Sequence, residues 1–386
     1  MLIKVFLFFL FHNGISETNF VSYDSLINNI KVDKLKIVRD SIKSRMEYIN
    51  STTPFQIDYT APLEKSIIKH LEKRQATYLE LYSRSRYFFP IFENALQKYN
   101  VPLELKYLPI VESSLNPKAK SRVGATGLWQ FMFNTAKELD LEVNSYVDER
   151  MDPIKSSDAA ARYLSELYAR FNDWNLAIAA YNYGPGNMKR AMKASGYSNF
   201  WNLTGYLPKE TANYVPSFLS TLYLFEFAKE HEIKINTSKS IISPTDSIPI
   251  KEMISFSHIS AKINIPMETL IFLNPSYIHN IIPWVKNKQY YLTLPQNYTD
   301  IFIEKEAEIY KFAKLEFNSR EKPLPQLYEL NSRIIYRVVN GDFLGKIGKS
   351  FGVKVSDIKT WNKLKDDRLK IGQRLIIFPK KFPKKQ

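Results

Sequence analysis

Hydrophobic positions recur at helical spacing through most of the first two thirds of the chain. Ile67, Ile68, Leu71, Tyr78, Leu79 and Tyr82 predict amphipathic helix. Leu105, Leu108 and Val111 share one side of a helix that ends on Glu112-Ser113-Ser114, and Asn116-Pro117 breaks it. Ser156 and Ser157 stand before another helical face made of Ala160, Tyr163, Leu164, Leu167, Tyr168 and Phe171. The stretch from Asp173 to Asn182 is apolar on nearly every side, which predicts a buried helix stopped by Gly184-Pro185-Gly186. No strand-period alternation interrupts this region, so it reads as an all-α domain.

The texture changes beyond residue 236, where Ser238, Ser240, Ser243, Pro244, Thr245, Asp246, Ser247 and Pro249 form a polar linker. An internal repeat follows. Ile259, Ile263, Ile265, Leu270 and Asn274 return as Ile347, Phe351, Val353, Ile358 and Asn362, each 88 positions further on. Each copy closes on a strand-like tail before proline, Tyr290–Pro295 and Arg374–Pro379, and the second opens with the strand Ile334–Val339. The unit expected is a small βααβ module, with a charged helical segment between the copies. The expected plan is therefore an export segment at 1–16, a leader at 17–62, a helical domain at 63–235 and a linker at 236–250. A degenerate module at 251–296, a helical linker at 297–332 and a second module at 333–380 complete it.

Composition narrows the classes. A chain of 386 residues, 45% hydrophobic and 24% charged, fits two or three globular domains. Lys4 followed by the apolar run Val5–Phe11, with Gly14 and Ser16 as small-x-small, reads as an export signal too short to span a bilayer. With no cysteine, there is no disulfide, thiolate metal site, cysteine nucleophile or lipid-anchor cysteine. The net charge of +15 is concentrated at the end: about +11 falls between Arg333 and Gln386, which suits an anionic wall or membrane surface. Nucleic acid is not the expected partner of an exported chain. The five histidines lack ligand spacing, so neither a metal nor a cofactor is expected.

The densest chemistry lies between Leu105 and Tyr214. A glutamate at a helix end is ordinarily a solvated surface residue. Here it is followed by the bendable Gly124–Gly127, by Leu128-Trp129-Gln130-Phe131, and by Tyr181-Asn182 at the end of an apolar helix. Polar groups at the ends of apolar helices, beside glycines, are what a cleft requires. An apolar setting made by Val111, Trp129 and Phe131 would raise the pKa of Glu112 and let it donate a proton near neutrality.

Glu112-Ser113, Gly127-Leu128-Trp129-Gln130 and Ala180-Tyr181-Asn182 match the three signature motifs of family 1 lytic murein transglycosylases. Asp148–Pro153 and Glu210–Pro216 resemble segments of the membrane-bound D-type members, and the match runs from about Leu63 to Glu232. The C-terminal repeat resembles LysM, a peptidoglycan-binding module, through Tyr336–Asp342 and Trp361-Asn362. The resemblance implies a goose-lysozyme-like helical fold around a glycan groove. It implies Glu112 as single acid/base, giving 1,6-anhydro ends on N-acetylmuramic acid. It further implies that Ser113, Gln130, Tyr181, Asn182, Glu210 and Tyr214 bind sugar or orient Glu112, and that Gly341, Asp342 and Asn362 serve glycan binding. The departures from the family pattern are Trp129, Tyr183 and Phe133, expected on the groove wall, and Phe343 in the second module. The first module lacks the Gly-Asp opening. Two alternatives stay open: a lysozyme-like hydrolase using Glu210 or Asp152 as second carboxylate, and an inactive wall-binding scaffold.

Overall fold

The computed structural model describes residues 39–383 except 74, 234–243 and 322–323. The expected export segment lies outside the described residues. A first helix, α1, covers residues 39–52 and buries Ile42, Met46 and Ile49, spaced at one helical face, in the main core. Those residues were expected in a polar leader. Their apolar positions are few and separated by charge, so the core membership shows only when the opposite wall is in place.

The helical domain continues through α2 (Ala61–Lys73), α3 (Gln75–Lys98), a 3₁₀ turn (Leu103–Tyr107), α4 (Leu108–Ser113) and α5 (Phe133–Glu138). Then come α6 (Pro153–Phe171), α7 (Trp174–Tyr183), α8 (Pro185–Ser195), α9 (Phe200–Leu203) and α10 (Lys209–Glu226). The central helix is α7, whose residues from Trp174 to Ala180 are all buried, as an all-round apolar segment must be. Asp173 caps it by accepting from the Leu176 amide. The Gly-Pro-Gly sequence ends α7 and also starts α8: Gly184 takes φ +83° and Pro185 occupies the first turn, where its missing N–H costs nothing. At α6 the cap is Asp152, whose carboxylate accepts from the Ile154 and Lys155 amides at 2.9 Å. Ser156 and Ser157 instead sit inside that helix and bond back to the carbonyls of Asp152 and Pro153.

The first small module is built from β1 (Thr245–Ile250), β2 (Ile254–Ser255), α11 (Phe256–Ile263), α12 (Met267–Leu273), β3 (Ile281–Ile282) and β4 (Tyr290–Pro295). Its outer ribbon pairs β1 with β4 antiparallel, Ile248 opposite Leu292. Residues 245–250, expected in the linker, are thus a strand. The long helix α13 (Gln296–Ser319) is no free connector either. It lays Phe302, Ile309 and Tyr310 into the module's core, and Tyr310 Oη accepts from the Lys251 amide at 2.9 Å. The second module has β5 (Ile334–Arg337), α14 (Leu344–Phe351), α15 (Val355–Asn362) and β6 (Arg374–Ile377), with β5 and β6 antiparallel.

The repeat has a common structural device. Asn274 donates to the carbonyls of Leu270 and Thr293 and accepts from the Thr293 amide, at 3.0, 2.8 and 2.7 Å. Asn362 makes the same three bonds, to Ile358 and Ile376, at 2.9, 2.7 and 2.6 Å. In each copy one amide ties the second helix to the closing strand. Among the described residues no helix is long and apolar enough to cross a membrane.

Candidate active site

A cleft of about 780 Å³ opens in the helical domain, lined by Val111, Glu112, Gln130, Tyr181, Asn182, Glu210 and Tyr214 among others. Three chain segments build it. The first is α4, a short helix that starts after the 3₁₀ turn and stops because Ser114 and Leu115 take left-handed conformations, φ 53° and 56°. Glu112 therefore projects from the last turn of a helix whose opposite side, Leu108 and Ile110, is fixed in the core.

The second segment is the loop 119–131, folded on itself by the Thr126–Phe131 and Lys120–Thr126 bridges. Gly127 has φ +90°, and a Cβ there would lie 1.7 Å from the carbonyl oxygen of Arg150, so only glycine fits. Gln130 also has a left-handed backbone, φ 50°, and its amide donates to the Gly127 carbonyl at 2.8 Å. The third segment pairs the ends of α7 and α10. There Thr211 donates to Asn182 at 2.9 Å, and Tyr181 donates to the Trp129 carbonyl at 2.7 Å.

Burial among these walls raises the Glu112 carboxyl to about 7, against an opposing hydrogen bond from Tyr214, and the negative charge of Glu210 pushes the same way as burial. Tyr214 donates its hydroxyl directly to Glu112 Oε1. The same apolar surroundings, with Glu112 beside them, hold the phenols of Tyr181 and Tyr214 far above their usual range, so both stay neutral donors. The site is thus one carboxyl able to exist as acid or base near neutrality, with a neutral donor fixed on one oxygen.

Six of the expected residues converge here: Glu112, Gln130, Tyr181, Asn182, Glu210 and Tyr214. Ser113 does not line the cleft. Its hydroxyl bonds back to the Pro109 carbonyl and across to the Leu128 carbonyl, both at 2.9 Å, tying α4 to the loop. Of the groove-wall expectations only Tyr183 lines the cleft. Trp129 is fully buried, its indole N–H on Ser157 at 2.9 Å and its ring 5.3 Å from that of Phe92. Phe133 packs against the core from the start of α5. Asp152 is the α6 cap and lies away from the cleft, so it is not placed to act on a group bound there. The exposed Val123 and Met132 and the polar Asn213 and Ser217 also line the cleft without any motif to announce them.

In the second module, Gly341 supplies a left-handed turn with φ +80°. Asp342 accepts from the Tyr336 hydroxyl at 2.6 Å and the Val339 amide at 3.0 Å, so its side chain, like that of Asn362, is engaged inside the module. Its outer surface beside that turn carries the exposed apolar side chains Val339, Phe343 and Ile371. No group of three or more potential metal ligands occurs among the described residues.

The family comparisons follow the same layout. The Transglycosylase SLT domain matches residues 89–204, the LysM-like domain of lytic transglycosylase MltD matches 244–311, and the LysM domain matches 336–378. Membrane-bound lytic murein transglycosylase D of Escherichia coli K12 is 31% identical over 298 residues, covering 73% of this chain and 61% of its own. Membrane-bound lytic murein transglycosylase F of Shewanella pealeana is 30% identical over 155 residues, covering 32% of this chain and 31% of its own. The solved 70-kDa soluble lytic transglycosylase of Escherichia coli aligns with 53% of this chain and 36% of that one, at 21% identity and a TM-score of 0.33. The chain spans about 61% of the length of the first of these relatives. The chain thus carries an SLT domain, an MltD-type LysM-like domain and a LysM domain in that order, and is similar to lytic transglycosylases over most of its length.

Proposed function

We propose that this protein is a peptidoglycan lytic transglycosylase acting in the cell envelope, with Glu112 as its single acid/base. The observation that carries this reading is a carboxyl raised to about 7 at the floor of a large cleft, gripped by a neutral tyrosine. Protonated Glu112 gives its proton to the oxygen between N-acetylmuramic acid and N-acetylglucosamine as the bond to the anomeric carbon breaks. The resulting carboxylate then takes the proton of the muramic 6-hydroxyl while that oxygen closes on the anomeric carbon. The cycle restores the acid and consumes no water, leaving a 1,6-anhydro end.

The positive charge that builds on the sugar is met by the substrate's own N-acetyl group and by the field of Glu210. Gln130, Tyr181 and Asn182 hold the sugars, Tyr214 orients Glu112, and Ser113 keeps α4 against the loop. An attack by a hydroxyl already held on the same ring is favoured over capture of an unplaced water by several kcal/mol. The second module grips wall glycan through the surface around Gly341, and the lysine-rich C-terminal stretch adds attraction to an anionic wall or membrane surface. This is an exported protein of the periplasm or cell envelope, and nucleic acid is not its partner.

Glu210 lines the same cleft and favours one second reading, in which it activates a water and the enzyme is a hydrolase. Mass spectrometry of muropeptides released from purified wall decides between them. Anhydro ends, lighter by one water, are the expected product, and exclusively hydrated masses overturn the transglycosylase reading. Glu112→Gln is nearly isosteric but can neither give nor take the proton, so wall cleavage should fall by at least about 10³-fold with folding and glycan binding intact.

A further inference from the structure

Residues 144–152 touch the first module, the strap leading to the second, and the cleft loop. On one side they join the first module: the Asp148 amide donates to the Ser276 carbonyl at 2.9 Å and the Ile278 amide donates to the Tyr146 carbonyl at 2.8 Å. Tyr146 and Val147 are buried in that module's core rather than in the helical domain's. On a second side they hold the strap leading to the second module. Ser145 exchanges bonds with Tyr328, and the Tyr146 hydroxyl donates to the Pro325 carbonyl at 2.6 Å.

The third side faces the cleft. Arg150 is almost wholly buried and forms a two-pronged pair with Asp148, both contacts at 2.8 Å. Its remaining terminal nitrogen donates to the carbonyls of Gly124 and Phe131, each at 3.1 Å. Those carbonyls flank the 124–131 stretch of the loop, the part that carries Gln130. The loop's other edge is held from the active-site side, where Ser113 and Tyr181 donate to the carbonyls of Leu128 and Trp129. Gly127 lies directly on the Arg150 backbone.

We propose that Arg150 is a positioning residue for catalysis, and that the first module acts through it, bracing the cleft loop from behind. The inference rests on the catalytic reading above. A guanidinium is suited to this post because its planar fork serves a carboxylate and two divergent carbonyls at once, whereas a lysine ammonium on a flexible stem does not. The module is therefore part of the catalytic body: its Ser276 carbonyl holds the Asp148 amide, Asp148 fixes Arg150, and Arg150 fixes the loop that brings Gln130 and Phe131 to the cleft.

The test uses the full chain and short, peptide-free, soluble glycan fragments cut from purified wall, which require the cleft alone. Arg150→Lys keeps the charge beside Asp148 and loses the double carbonyl grip. Its kcat should fall about 10- to 100-fold, the range expected when a reacting geometry is displaced by about an ångström, with KM changed far less. A purely structural arginine would lower the melting temperature and leave the kcat of the folded protein alone, so melting is measured on the same samples. Folded Arg150→Lys with kcat within about twofold of wild type overturns the proposal. Should that variant not fold, Phe272→Ala decides. Its ring packs on Tyr87 and Phe88 at 5.1 and 5.8 Å and does not line the cleft, and loosening it should lower kcat on the fragments at least about threefold. An unchanged kcat there overturns the brace as well. A wild type that releases no product from any glycan refutes the catalytic reading itself, and the brace falls with it.

Discussion

The two small modules share a fold and an asparagine device, yet they relate to the rest of the molecule in opposite ways. The first shares its core with the helical domain: it takes in Tyr146 and Val147 and rests Phe272 against Tyr87 and Phe88. The second closes around its own apolar set, Ile334, Val338, Leu344, Ile347, Phe351, Ile358, Leu375 and Ile377, joined by Tyr328 of the strap. The first is covered on one side by α13 and the helical domain and leaves Trp284 and Tyr291 about half exposed, whereas the second leaves Ile335, Val339, Phe343 and Ile371 about half exposed or more, three of them beside the Gly341 turn. An apolar surface left open on a small module suits a ligand; one that is covered suits a fixed neighbour. On the proposed reading, two copies of one repeat are put to different uses, one as part of the catalytic body and one as a grip.

The largest effect that would break this contrast is independence of folding. Excised residues 328–383 should fold alone and pellet with purified peptidoglycan, whereas excised residues 244–321 should lack a cooperative melting transition because part of their core stays behind. A first module that melts cooperatively by itself would erase the distinction. Next in size is the pair Asn274→Ala and Asn362→Ala, which removes the same three bonds from each copy and takes the side-chain acceptor from the amide of the closing strand. Loss of such bonds costs on the order of 1–3 kcal/mol each when buried, and Asn274 is the more deeply buried of the two. Denaturant titration of the full chain should show the larger loss at Asn274, and the reverse order would mean that the first module is not the tighter-packed copy.

The smallest expected effects separate the two regions by solution conditions. In the proposed mechanism Glu112 enters the reaction protonated, and its carboxyl is raised to about 7, so kcat/KM on soluble fragments should fall as pH rises through 7. Over the same range pelleting by the second module should hardly change, while raising the salt should weaken it a few-fold by screening the lysine-rich surface. Fragment cleavage that ignores pH between 6 and 8 would remove Glu112 from the acid step.

Much of the site was legible because its chemistry is local in sequence. Glu112-Ser113 ends one helix, Tyr181-Asn182 ends another, and glycines punctuate the loop between, so their convergence could be argued before any distance was known. Ser113 and Trp129 show the limit. Both belong to the motifs, but a motif does not say which way a side chain points, and both turn away from the cleft to hold its walls. Arg150 was visible only as part of a family segment. Nothing in its neighbours reveals that its partners lie 19 and 26 residues back in the loop.

Local signals in the chain were enough for the elements and their periodicity: a buried helix from Asp173 to Asn182, found at Trp174–Tyr183, a repeat with a step of 88, and a lone glutamate beside bendable glycines. These follow from short-range rules of side-chain spacing and backbone freedom, which act within a turn or two of chain. Where each surface is covered was set by the packing of distant segments. That packing drew residues 39–52 into the helical core, turned the supposed linker helix into a wall of the first module, and set Arg150 between that module and the cleft. Burial, a raised carboxyl and a braced loop depend on what lies across the gap, and the chain's local pattern carries no record of that neighbour.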